Sequence, residues 1–195
     1  MKVGLFNVMY VAGFVIGSVI RKVYTCGYRR GETRTRHRSV VDAALVALTA
    51  AGLFVLPLVY LFTGWLDVAD FPLPAWMGWG GTAVFAAALW LLWRSHADLG
   101  PNWSAELRIR CEHTLVTGGV YRRIRHPMYA AHWLWGIAQA LLLGNWIAGP
   151  SLLVTFLPLY LLRVGREERM MREAFGEEYR RYMRRTGRVI PRCRP

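Results

Sequence analysis

Two short polar clusters, each beside a long apolar run, carry the residue types and spacings that can do chemistry. The first is His113-Thr-Leu-Val-Thr-Gly-Gly-Val-Tyr-Arg-Arg-Ile-Arg-His-Pro-Met-Tyr129. Gly118-Gly119 reads as a turn, and Pro127, with its fixed φ and missing N–H, suits the first position of a helix. A helix starting there turns unpaired N–H groups and the positive end of its dipole outward, next to Arg122, Arg123 and Arg125, which makes a docking point for a carboxylate. A purely structural reading fits the same residues, with snorkelling arginines and Tyr129 at a membrane interface. The second cluster is Arg163-Val-Gly-Arg-Glu-Glu-Arg-Met-Met-Arg-Glu-Ala-Phe-Gly-Glu-Glu-Tyr179. Arg163 and Glu167 are four apart and share one helix face. They are the first charges after an apolar run, where poor solvation gives a paired guanidinium and carboxylate more consequence than on an open surface. Glu168, Arg169 and Arg172 read as ordinary ion pairs on a solvated face.

Several other chemistries lack their residues. There is no G-x-G-x-x-G, no phosphate-binding P-loop and no H-E-x-x-H, and the five histidines are not clustered as a di-iron site needs. His126 and His132 are six apart, on different helix faces, so no metal is expected. Cys26, Cys111 and Cys193 form no C-x-x-C pair, which argues against a disulfide or a thiolate zinc site. Cys193 has only Arg194-Pro195 behind it, not the C-a-a-X arrangement of a lipidated terminus.

The elements that must hold these clusters are membrane helices. Of 195 residues 54% are apolar, yet 25 Lys+Arg against 12 Asp+Glu give a net charge of +13, so charge and hydrophobicity are segregated along the chain. Disorder is excluded, and basic residues kept out of the apolar blocks fit a bilayer, with no nucleic acid as partner. Val3–Ile20, Ala43–Phe62 and Ala75–Trp93 are uncharged runs of 18, 20 and 19 residues, each long enough to cross as a helix. The first, running into Arg21-Lys22 without a cleavage site, reads as a retained anchor. Met128–Leu143 and Trp146–Leu162, 16 and 17 residues long, read as a tight helical hairpin turning at Gly144-Asn145. Seven basic residues lie in Arg21–Arg38, six between Arg94 and Pro127 and eleven from Arg163 onward, whereas the stretch after the second run holds Asp67 and Asp70. The basic loops belong on the cytoplasmic side, which places the N-terminus outside and the C-terminus inside. The expectation is one all-α membrane domain over 1–195, with about five transmembrane helices, or three plus a re-entrant hairpin: three N-terminal spans over 1–93, and a part over 94–195 that carries the chemistry. Gly13-x-x-x-Gly17 marks a close helix contact, within the chain or between chains.

Taken together, Leu-Val-Thr-Gly-Gly-Val-Tyr, Arg-His-Pro-Met-Tyr, Arg163-x-x-x-Glu167-Glu168 and Phe175-Gly-Glu-Glu-Tyr-x-x-Tyr182 resemble the isoprenylcysteine carboxyl methyltransferase family. The resemblance spans roughly Asp98 to Pro191, and Asp98-Leu-Gly-Pro-Asn-Trp-Ser104 is similar to small prokaryotic members. It implies an integral membrane methyltransferase using S-adenosylmethionine, held in a pocket closed by the cytoplasmic C-terminal helical segment. By that likeness the cofactor contacts are His113, Thr114, Leu115, Val116, Tyr121, His126, Pro127, Met128, Tyr129 and Glu167, with Glu106 a weaker match. Arg163 and Glu167 are the implied catalytic residues, with Arg163 facing a lipophilic, prenyl-type methyl acceptor that enters from membrane lipid. Phospholipid N-methyltransferases share some of these motifs, although an amine acceptor sits poorly beside Arg163. A sterol-type reductase, which shares a related C-terminal pattern, and a non-catalytic membrane interaction protein also fit parts of the chain.

Overall fold

The computed structural model describes residues 4–27, 40–100 and 115–192. Glu106, Cys111, His113, Thr114 and Cys193 lie outside them, as does the side chain of Cys26. Among the described residues the fold is all helical, with two isolated bridges, Asp70 to Asn145 and Ile124 to Gly187, in place of a sheet. Helix α1 is Leu5–Gly27 and α2 is Val40–Ala50; a π-helical turn, Ala51–Val55, leads into α3, Leu56–Phe62. Helix α4 is Ala75–Leu99, α5 is Pro127–Leu142 and α6 is Ser151–Arg185. Prolines set the starts: Pro74 and Pro150 precede α4 and α6, and Pro127 opens α5. Gly100, at φ 54°, stops α4, and Gly176, at φ 51°, breaks α6 and redirects its last turns.

Leu5–Thr25, Val40–Phe62 and Ala75–Leu99, of 21, 23 and 25 residues, are long and apolar enough to cross a membrane. Their outer faces expose Val15, Ile16, Val19, Phe62 and Trp90, a distribution that suits lipid rather than water. The inner faces meet around Tyr10, Phe85, Leu92, Trp135, Leu142, Leu152 and Phe156. Gly13 and Gly17 belong to this interior, because a Cβ at either would overlap the Phe85 or the Trp135 ring. The small-residue face of α1 is therefore spent inside the chain. Gly81 likewise lets α4 lie close on Leu141 and Leu142 of α5.

A buried amide ties four segments together. Gln139 accepts from the Tyr10 hydroxyl at 2.9 Å, and its Nε2 donates to the carbonyls of Gly52 and Ala148 at 3.2 and 2.7 Å and to Ser151 Oγ at 2.9 Å. Ser151 Oγ also donates to the Gly52 carbonyl at 2.8 Å. The π turn lies where α2 and the turn itself press on α6: a Cβ on Gly52 would overlap Thr155, and the Gly52 carbonyl takes its partners from outside the helix.

The connection between α5 and α6 differs from the expected dipeptide. It runs from Leu143 to Pro150 and is organised by Asn145, which is fully buried. Asn145 Nδ2 donates to the Leu66 carbonyl at 2.7 Å and to Asp70 at 2.8 Å, while its Oδ1 accepts from the N–H groups of Ile147 and Ala148 at 3.0 and 2.8 Å. An Asn that satisfies both the loop before α4 and its own turn needs more chain than a tight reversal supplies. Trp65, Trp76 and Trp146 are exposed at this end, as interfacial aromatics are. Arg94, Arg125, Arg163 and Arg188 gather at the opposite end.

Candidate functional site

The opposite end is assembled from three pieces of chain. The turn Gly119–Arg122 sits on the last turn of α4, where Asp98 accepts the Val120 N–H at 2.8 Å and the Arg94 guanidinium at 2.6 Å. A side chain at Gly119, φ 56°, would overlap that carboxylate. Tyr121 is buried, its hydroxyl donating to the Ser95 carbonyl at 3.2 Å and its carbonyl accepting from the Tyr182 hydroxyl at 2.6 Å. Leu115 and Val116 are half-buried in irregular chain leading into this turn. From the turn the chain reaches His126, and α5 starts at Pro127 without a side-chain cap. The first-turn N–H groups at Met128 and Tyr129 thus point away from the helix with its dipole behind them.

Glu167 of α6 faces this helix start. Its Oε1 accepts from the Tyr129 hydroxyl at 2.7 Å and from Arg163 Nε at 3.0 Å, and its Oε2 lies 3.5 Å from His126 Nδ1. The side chain is 21% exposed, so it is neither plugged into the core nor directed into bulk solvent. Arg163 and Glu167 do share one face, as their spacing requires. The Tyr129 ring packs beside His126 and edge-on to Tyr160, with Phe156 and Trp133 continuing an aromatic lining between α5 and α6.

Glu168 departs from the sequence expectation. It is 3% exposed and stands at the centre of a clamp, not on a solvated face. Arg125 reaches it from the turn before α5, Nε at 3.3 Å and Nη2 at 3.1 Å, and Arg188 grips both oxygens, at 3.0 and 2.7 Å. Arg125 Nη1 also donates to the Met183 carbonyl at 3.1 Å and to the Thr186 carbonyl. The backbone after α6 pairs with the chain before α5: the Arg125 and His126 N–H groups donate to Gly187 and Arg188 carbonyls at 2.8 and 2.9 Å, and Gly187 N–H to Arg123 at 3.1 Å. Of the three arginines before Pro127, Arg125 alone turns inward, while Arg122 and Arg123 are exposed with Arg169 and Arg172. The Glu-Glu doublet was the available signal for Glu168, because the second residue lies about 100° round the helix from the first. Arg188, in aperiodic chain, had none.

The electrostatics follow from this packing. Burial alone would raise Glu167, but His126, Arg163 and the Tyr129 hydroxyl outweigh it and hold the carboxylate below its ordinary range. For Glu168 the same burial is overcome by His126, Arg188 and Arg125. Burial of His126 favours the neutral ring, yet the two glutamates more than compensate and its pKa is raised. His126 Nε2 is buried without an aligned hydrogen-bond acceptor, although Glu168 Oε1 is 3.5 Å away. The result is a histidine ring between two carboxylates beside an uncapped helix start, a place able to bind a small molecule that carries both signs of charge.

The sequence model described as the isoprenylcysteine carboxyl methyltransferase (ICMT) family matches residues 81–173. The human protein-S-isoprenylcysteine O-methyltransferase is 39% identical over 79 residues, 40% of this chain and 28% of that protein. The Schizosaccharomyces pombe enzyme of the same name is 30% identical over 80 residues, 41% and 34% of the two chains. A probable protein-S-isoprenylcysteine O-methyltransferase of Oryza sativa subsp. indica is 30% identical over 94 residues, 47% and 49%. The matched stretch therefore spans at most about half the length of these relatives. A solved structure described as the eukaryotic intramembrane Ras methyltransferase ICMT shares the fold, with a TM-score of 0.55 and 22% identity over 94% of this chain and 62% of that one. The resemblance read from the motifs is borne out, and the matched segment carries Arg163, Glu167 and Glu168.

Proposed function

We propose, from the premise that residues 81–173 carry the sequence pattern of the isoprenylcysteine carboxyl methyltransferase family, that this chain is a membrane O-methyltransferase. Its donor is S-adenosylmethionine and its acceptor a carboxylate on a lipophilic, prenylated cysteine-type molecule. The observation that carries the reading is Glu167, held by Tyr129 and Arg163 through Oε1 while Oε2 faces His126 beside the uncapped start of α5. The donor's amino-acid end carries an ammonium and a carboxylate. Glu167 Oε2 suits the ammonium or a ribose hydroxyl, and the N–H groups at Met128 and Tyr129 suit the carboxylate. Pro127 fixes that helix start. The buried His126 Nε2 without an aligned partner is a further polar atom that a ligand can engage. His113, Thr114, Leu115, Val116 and Tyr121 complete the contacts by resemblance, with the Tyr121 hydroxyl serving to seat the turn on α4.

When bound, S-adenosylmethionine supplies a methyl group on a positively charged sulfur, which a carboxylate oxygen takes by in-line displacement. An acceptor carboxylate is already ionised at neutral pH, so this chain needs no general base. Arg163 orients the acceptor and aims one oxygen. The aromatic lining from Tyr129 to Trp133 excludes water, which favours a step in which opposite charges disappear together. Five crossings, the last two a helical hairpin, with the N-terminus outside and the site on the cytoplasmic side, let the acceptor enter sideways from lipid. The test is calorimetric titration of detergent-solubilised protein with S-adenosylhomocysteine, followed by methyl transfer to an amine-blocked S-prenylcysteine and to an amine-bearing phospholipid. Saturable binding with transfer to the carboxylate supports the reading, transfer only to the amine replaces it with N-methylation, and absence of binding overturns it.

A further inference from the structure

Residue 188 grips His126 from two sides. Its carbonyl accepts the His126 N–H at 2.9 Å, and its guanidinium holds both oxygens of Glu168, whose Oε1 lies 3.5 Å from His126 Nε2. The opposite ring nitrogen faces Glu167. His126 is thus tied at its backbone N–H and flanked by a carboxylate at each ring nitrogen, and two of these three contacts trace to one residue of the segment that follows α6. That segment reaches the site because Gly176 bends α6, Tyr179 and Tyr182 bury themselves in the turn, and Thr186 closes the last helical turn by donating to the Tyr182 carbonyl at 2.8 Å.

We propose that the 186–190 segment is a strap across the site, and that Arg188 with Glu168 forms a latch positioning His126 and, through it, Glu167 for the nucleotide-bearing methyl donor. This rests on the reading of the site given above. Arg188 is a positioning residue: its reach is to Glu168 and to a backbone N–H, not to the reacting atoms. Arg125 holds Glu168 independently and anchors the strap's start through Met183 and Thr186, so the latch can open at Arg188 while the fold persists. The half-exposed Arg188 side chain makes its truncation a local change.

The experiment uses the full chain with Arg188→Ala, Arg188→Lys, His126→Ala and the double variant Arg188→Ala with His126→Ala. Binding of S-adenosylhomocysteine to the unmodified protein is measured first, since its absence would overturn the site assignment rather than the latch. Given binding, Arg188→Ala is expected to raise Kd about tenfold, about 1.4 kcal/mol, while kcat at saturating donor falls less than about threefold. Arg188→Lys, keeping the charge without the bidentate fork, is expected to recover part of that loss. In the ligand-free protein, Arg188→Ala is expected to speed amide exchange at His126 by tenfold or more and leave exchange in α4 unchanged. The Kd increases of Arg188→Ala and His126→Ala are expected to be strongly non-additive, because one acts through the other. Unchanged Kd and unchanged His126 exchange in Arg188→Ala, or additive effects in the double variant, would overturn the latch. Slower turnover with intact binding would make Arg188 an acceptor-side residue and overturn it equally.

Discussion

Arg163 and Glu167 are bonded to each other, yet their proposed duties differ, and the geometry says how separable they are. Glu167→Ala removes the carboxylate that faces the donor's ammonium, an interaction to a charged group worth about 1.5–3 kcal/mol. It also strands the Tyr129 hydroxyl, which gives Oε1 its 2.7 Å hydrogen bond. Binding of S-adenosylhomocysteine should therefore weaken by about 10- to 150-fold. Arg163→Ala removes one of three contacts that hold Glu167, leaving Tyr129 and His126 in place. A net loss of about 0.5–1 kcal/mol in carboxylate positioning predicts a drop of only about two- to fivefold in product binding. Turnover should fall much further, because truncating one partner of a desolvated charge pair costs about 2 kcal/mol or more, roughly 30-fold. The assay is calorimetric titration of both variants together with single-turnover transfer of a labelled methyl group to an amine-blocked S-prenylcysteine. If both variants lose product binding to the same degree, the division into donor-side and acceptor-side residues is wrong. If Arg163→Ala keeps full turnover, Arg163 has no acceptor to hold.

Two further outcomes follow from the packing and the charges. Gln139→Leu deletes the acceptor of the Tyr10 hydroxyl and two N–H donors shared among three acceptors, three hydrogen bonds in all at an average of about 0.6 kcal/mol between membrane helices, so thermal unfolding in detergent should show a loss of about 2 kcal/mol. An unchanged midpoint would mean that the amide network does not hold α5 to α6 and the π turn. Stability at the arginine-rich end should depend on pH from both sides. Glu167 and Glu168 lie below the ordinary carboxylate value of 4.5, so their contribution is present above that value and lost as pH falls through their native pKa values. His126 lies above 6.5, so its contribution is complete below 6.5 and lost as pH rises through its native value. Melting midpoints should peak between about pH 4.5 and 6.5, with the fall on the alkaline side absent in His126→Phe; a midpoint that keeps rising from pH 6.5 to 8.5 in the unmodified protein would contradict this.

Periodicity and punctuation made the helices legible. Uncharged runs marked the cores of Leu5–Thr25, Val40–Phe62 and Ala75–Leu99 because a backbone in hydrocarbon must satisfy its own hydrogen bonds, and Pro127 marked the start of α5 because its φ is fixed and it has no N–H to leave unpaired. The i, i+4 spacing of Arg163 and Glu167 was enough to join them, since one helix turn brings any such pair together. Contacts between distant segments were not written locally. Glu168 looks like any surface glutamate until Gly176 bends α6 and brings Arg188 back onto it, 20 residues later in the chain. Asn145 looks like a turn residue until Leu66 and Asp70 are seen to share it, and the α1 glycines leave their partner open until Phe85 and Trp135 fill the space. Helix formation depends on neighbours in sequence, whereas burial of a charge depends on which remote segments fold over it. That decided which of the two adjacent glutamates stays partly open and which is locked into the frame.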